Sequence, residues 1–264
     1  MEIAGYLAAL LIGLSLGLIG GGGSILTIPV LVYLFHIQPT VATGYSLFIV
    51  GCSALAGAYK YYRRNNINFK AAFYFGIASI ITVLLIRKLL LPVIPDQLFA
   101  IGTITVTKSL ATMLLFASVM ILASLNMIQK PLTANNDLKN QPIHLTKGLI
   151  RGVGVGILTG LLGAGGGFLI IPVLIFSFHL SMKDAIGTSL LIIAMNSLFG
   201  FAGDLFHHQF DWALLLPITA IAVTGTFIGR RLGQDLSGEK LKKWFGWFVL
   251  AIGIYIIIHE IFVK

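Results

Sequence analysis

The sequence predicts an all-α polytopic membrane protein of about ten transmembrane or re-entrant helices, arranged as two inverted five-helix repeats. Three observations carry that prediction. The 264 residues are 57% hydrophobic and only 10% charged, with a mean hydropathy of +0.96, whereas soluble domains carry about a quarter charged residues. The sequence matches itself at an offset of 143 residues. Its basic residues divide very unevenly between alternate loops.

Ten apolar segments follow one another. They cover 3–19, 24–36, 41–59, 71–90 and 109–128, then 148–162, 168–180, 185–203, 212–229 and 244–259. Crossing a bilayer takes roughly 20 mostly apolar residues, so these segments nearly exhaust the chain and leave no soluble domain. The opening MEIAGYLAALLIGLSLGLIG has an acidic residue where a signal peptide is basic, and reads as a retained first helix. Cys52 lies in an apolar segment and offers no disulfide framework.

The repeat is extensive. GGGGSILTIPVL (20–31) falls on GAGGGFLIIPVL (163–174), and TVATGYSLFIVGCSALAG (40–57) on KDAIGTSLLIIAMNSLFG (183–200). His36 falls on His179 and Arg87 on Arg230; no gap is needed from Gly17 to Leu89. About a dozen extra residues follow around Leu91–Val106 in the first half only. Residues 1–128 thus form the first repeat, 129–147 a polar linker, and 148–264 the second repeat. Five segments per half put the second copy into the membrane upside down.

Loop charge tests this separately. If segments alternate sides from an outer start, one side collects 14 of the Lys and Arg residues. The other collects only Arg87, Lys88, Lys108 and Lys264. The positive-inside rule makes the first side cytoplasmic and places both termini outside the cytoplasm. Arg87 and Lys88 sit on the side this rule disfavours. The net charge of +9 therefore reports orientation rather than a nucleic-acid partner.

The two glycine clusters need a reason, since glycine weakens helices. The segments after them are short, and Pro29 and Pro172 each remove a helix hydrogen bond. Two geometries fit: a tight full hairpin, or a re-entrant hairpin whose glycine turn stops near the midplane. Irregular backbone at that depth survives only when buried in protein or lining a cavity. A helix starting at such a turn presents unpaired N–H groups and a positive dipole end, which suits an anion. Close helix packing through small residues is the plainer alternative.

Candidate substrate-binding residues are therefore Gly20, Gly21, Gly22, Gly23, Ser24 and Pro29, with Gly163, Ala164, Gly165, Gly166, Gly167 and Pro172 in the second copy. Gly44, Tyr45 and Ser46, with Gly187, Thr188 and Ser189, supply the repeated hydroxyls, and Asn196 is a weaker candidate. Hydroxyls also bond back to their own helix or across helices. Asp204, His207, His208 and Asp211 share one short loop without ligand spacing and are read as solvated, so no metal or cofactor is expected. No Asp, Glu, Lys or Arg falls in the middle of a segment, so no coupling ion, proton or sodium, is assigned from side chains. There is no phosphate-binding loop, catalytic triad or metalloprotease motif, which argues against an enzyme.

Two glycine-proline blocks, each followed by a G-x-S-L block, resemble the sulfite exporter TauE/SafE family of bacterial membrane permeases over essentially the whole chain. The family's glycine-proline motif falls on Gly20, Gly22, Gly23 and Pro29, and on Gly163, Gly165, Gly166 and Pro172. Its G-T-S motif falls on Gly187, Thr188 and Ser189, with Tyr45 replacing the threonine in the first half. The resemblance implies an inner-membrane permease for sulfite, sulfonates or other small anions. The expectation is a secondary transporter working by alternating access, with a small-anion substrate and the lipid bilayer as partners and a proton or sodium ion as the candidates for coupling. A passive channel and a non-transporting assembly factor are the rival readings, and the oligomeric state is open.

Overall fold

The structure is a computed structural model that describes residues 2–21, 23–101, 104–129, 145–163, 165–178, 180–207, 209–232 and 238–262. The first half comprises α1 (Glu2–Ile19), α2 (Ser24–Tyr33), α3 (Pro39–Tyr62) and α4 (Phe69–Leu85). A π turn (Ile86–Leu90) and a short helical turn α5 (Leu91–Val93) extend α4, and α6 (Lys108–Gln129) closes the half. The second half holds α7 (Leu145–Leu162), α8 (Gly167–Phe178), α9 (Met182–Asp204), α10 (Trp212–Leu232) and α11 (Gly238–Phe262). Among the described residues, five helices are long and apolar enough to cross a membrane, including Pro39–Tyr62, Lys183–Asp204 and Trp212–Leu232. The helical, multi-pass expectation holds.

The extra residues of the first half form an antiparallel hairpin, β1 (Gln97–Ile101) with β2 (Ile104–Thr107). Pro92 and Pro95 end the helix ahead of it, and β2 is built of β-branched Ile, Thr, Val and Thr. Pro92 also accounts for the π turn. Its ring crowds the preceding carbonyls, and the Leu91 N–H reaches back five residues to the Ile86 carbonyl.

The helices pack in corresponding sets. α1 runs along α10 and α4 along α7; α3 meets α9, and α6 meets α11; α3 also touches α10 as α9 touches α4. The glycine contacts give directions. Gly44, Gly51 and Gly57 of α3 approach Asp204, Leu198 and Leu190 of α9, so these two corresponding helices are antiparallel. Gly13 and Gly17 of α1 approach Ala222 and Thr226 of α10, and Gly152 and Gly156 of α7 approach Phe75 and Ser79 of α4, so both those pairs are parallel. Missing side chains let the backbones come this close, and dispersion then holds the pairs together where no hydrophobic effect acts.

Leu7, Leu11, Phe73, Ile81, Leu122, Ile150 and Trp247 point outward, as a lipid-facing surface requires. The short helix α2 is different. Ser24 to Pro29, Leu31 and Val32 are all buried, and a helix apolar on every face belongs inside a bundle. Ten residues of α2 and twelve of α8 rise only about 15 and 18 Å. They are central props of the fold and position the glycine turns.

Candidate functional site

The two glycine turns touch. A Cβ placed on Gly21 would lie 2.6 Å from the Gly167 carbonyl oxygen, and one on Gly167 would lie 2.5 Å from that of Gly21. No residue but glycine permits two backbones this close. Gly20, Gly163, Gly165 and Gly166 have φ of +75°, +67°, +65° and +67°, the left-handed region that glycine enters without steric cost. Ser24 starts α2 and Gly167 starts α8, with Pro29 and Pro172 inside those helices. Gly23 caps α2 with no side-chain hydrogen bond to its first turn. Gly22 and Ala164, like His179 and His208, lie outside the described residues.

The hydroxyls around the turns are unequally occupied. At the first turn, Ser24 Oγ donates to the Gly21 carbonyl (2.8 Å), and Ser189 Oγ lies 3.0 Å from the Gly20 carbonyl and 2.9 Å from that of Ile186. Around the second turn they have nothing to bond. Ser197 Oγ sits 2.8 Å from where a Gly165 Cβ would be, and Thr159 Oγ1 abuts Gly166. Both are buried without a hydrogen-bond partner, as are Ser46 Oγ, Ser53 Oγ and Asn196 Oδ1. Asn196 gives its amide to Ser79 Oγ at 2.6 Å. Buried polar atoms are nearly always paired, so the orphaned Thr159 and Ser197 hydroxyls beside the second glycine turn stand out.

Tyr45 and Thr188 stand elsewhere. Thr188 Oγ1 accepts the Asn68 N–H at 2.9 Å, and Tyr45 Oη accepts the Asp211 N–H at 2.6 Å. Asn68 and Asp211 correspond under the 143-residue offset and each caps the next helix through its own side chain. The two unlike residues therefore do one job, pinning the loop that opens α4 or α10. Gly44 and Gly187 leave room beside them; a Cβ on Gly44 would crowd Phe210 and Asp204, and one on Gly187 Tyr61.

Sequence reasoning missed three groups here: Thr159, Ser197 and an ion pair. Asp204, read as solvated, is 3% exposed and accepts a 2.5 Å hydrogen bond from Arg87 Nη1. Arg87, read as a loop cation, is 2% exposed and also donates to Thr43 Oγ1 at 2.9 Å. Its Nη2 would lie 2.7 Å from a Cβ on Gly163. The second turn thus has a guanidinium at its edge and is not cation-free. A buried charge is tolerated because a partner compensates it. The offset held a signal: Arg87 falls on Arg230 and Asp204 on Tyr61, and Arg230 lies 4.8 Å from the Tyr61 ring. His207 is exposed, as expected, and among the described residues no group of metal-ligating side chains occurs.

A helical bundle with an apolar exterior and helices long and apolar enough to cross a bilayer defines a multi-pass membrane protein. The sequence profile described as "Sulfite exporter TauE/SafE" matches residues 5–256, and the chain belongs to that family. A "Probable membrane transporter protein" of Xylella fastidiosa (strain 9a5c) is 30% identical over 254 residues, covering 94% of this chain and 91% of that protein. "Probable membrane transporter protein YdhB" of Bacillus subtilis (strain 168) is 28% identical, covering 90% and 92%. A shorter match, 36% identical over 117 residues, is to a "Probable membrane transporter protein" of Methanocaldococcus jannaschii. No solved structure matches the chain. The protein is a transporter and not an enzyme.

Proposed function

We propose that the protein is a secondary transporter for a small anion, such as sulfite, an organosulfonate or another small organic anion. The substrate binds where the two glycine turns meet and is moved by alternating access between inverted repeats. The observation that carries the reading is the contact between Gly21 and Gly167 beside orphaned hydroxyls of Thr159 and Ser197. Each turn opens a helix, so N–H donors and hydroxyls converge without a carboxylate from the turns themselves. The antiparallel α3 and α9, with the matched pairings around them, support inverted repeats. Under inversion the turns arrive from opposite faces. Their contact then favours re-entrant hairpins ending near the midplane, since full hairpins would leave them a hydrocarbon thickness of about 30 Å apart. The charge bias supports placing the basic groups of residues 60–70 and 230–243 on the cytoplasmic side, with both termini outside, in an inner membrane.

The test is sulfite flux in proteoliposomes, wild type against Gly165→Trp, with folding checked by gel filtration. Saturable flux with trans-acceleration, lost in the folded variant, is expected. Flux without counterflow would point to a channel, and flux that survives the variant would remove the turn from the site.

A further inference from the structure

We infer that Arg87 binds a small oxyanion in a cavity at the end of α4, a subsite beyond the glycine turns, with Asp204 as the resident competitor for the guanidinium. The cavity measures about 380 Å³ and its polar lining includes Thr43, Arg87, Lys108 and His207, with Asp96 and Asp204 as its two carboxylates. Arg87 spends only Nη1 on Asp204 and Thr43; its Nε and Nη2 are buried and have no partner. That free edge is the side-on fork whose parallel N–H groups take a carboxylate, sulfonate or sulfite through two oxygens. Nη2 lies against Gly163, so an anion held there adjoins the second glycine turn. Lys108 adds a second positive charge, with Nζ anchored on the Leu91 and Ile94 carbonyls at the break that ends α4.

The repeat argues that the arginine is not there merely to neutralise the aspartate. The corresponding Arg230 is also buried, yet Tyr61 stands where Asp204 would be. Arginine is common to both ends and the carboxylate belongs to one. Replacing the Asp204 carboxylate by an uncharged side chain would leave Arg87 nothing to share, so the incoming anion would meet less like-charge repulsion. This inference rests on the proposed transport reading only for the choice of anion.

The experiment is calorimetric titration of the purified full-length protein with sulfite and with methanesulfonate, chloride serving as the control without a fork-matching edge. Arg87→Lys, which keeps the charge and loses the fork, should weaken oxyanion binding at least tenfold. Asp204→Asn should tighten it at least threefold. The double variant Arg87→Met/Asp204→Leu removes both charges and so keeps the fold where single changes strand one; it should lose this binding. Unchanged affinity in the folded double variant, or no oxyanion binding by wild type, would overturn the inference. Flux in the same preparations separates the two readings. Binding that needs Arg87 in a protein without flux sinks transport alone; flux with binding indifferent to Arg87 sinks the subsite alone.

Discussion

Ser197→Ala deletes a single oxygen at the edge of the second glycine turn. That oxygen is fully buried and has no partner, and an unsatisfied buried hydroxyl costs about 1–3 kcal/mol in lost solvation. Its removal leaves a void smaller than a methyl group, worth less than about 1 kcal/mol. The variant should therefore be as stable as the wild type or up to about 3 kcal/mol more so. A transported anion loses more. A hydrogen bond to a charged group contributes about 1.5–3 kcal/mol, which corresponds to roughly a 10- to 100-fold rise in Kd. Melting in detergent and the concentration dependence of flux in proteoliposomes measure the two quantities on one preparation. Equal or raised Tm with a KM at least tenfold higher is the expected result. A lowered Tm with unchanged KM would refute the reasoning, because the hydroxyl would then serve the fold and not the substrate.

Tyr45→Phe and Thr188→Val each remove the acceptor that pins a loop N–H, so each should lower stability by about 1 kcal/mol. Similar losses in thermal melts would support equivalent roles, and a loss confined to one of them would contradict the equivalence. In a Cys52→Ser background, single cysteines at Asn65 and Gln209, both exposed in corresponding loops, should react with an impermeant maleimide from opposite membrane faces. Labelling from the same face would end the inverted-repeat reading.

The helices were legible because each is an apolar run bounded by polar loops, and each of the ten runs carries a helix among the described residues. The glycine turns were legible because duplication at one offset is hard to explain by packing alone. Arg87 and Asp204 were not. They are 117 residues apart, each lies near the end of an apolar run, and charges at such ends ordinarily reach the interface. Only packing α4 against α9 buries them together. Tyr45 escaped for a related reason. Its identity set it apart from the threonine of the other half, while its role rests on where the hydroxyl oxygen ends up, and both oxygens accept corresponding loop N–H groups. The β1–β2 hairpin had a clear cause in Pro92 and Pro95, yet its strand residues are as apolar as a helix and periodicity does not separate the two over so few positions.

Two identical inverted copies, exchanged by the transport cycle, would give inward- and outward-facing states of equal energy. On the proposed inverted arrangement, the described residues break that degeneracy at one end. The residues flanking the hairpin, Asp96 and Lys108, line the same cavity as the Arg87–Asp204 bond, while the opposite end has Arg230 on a neutral tyrosine. On the proposed cycle, opening the first end must separate two buried opposite charges and opening the second need not. The resting population is thereby biased toward closure at the ion-pair end. Thermodynamics still forbids that bias from setting the net direction of transport, which follows the solute gradients. It sets which face waits open for its ligand.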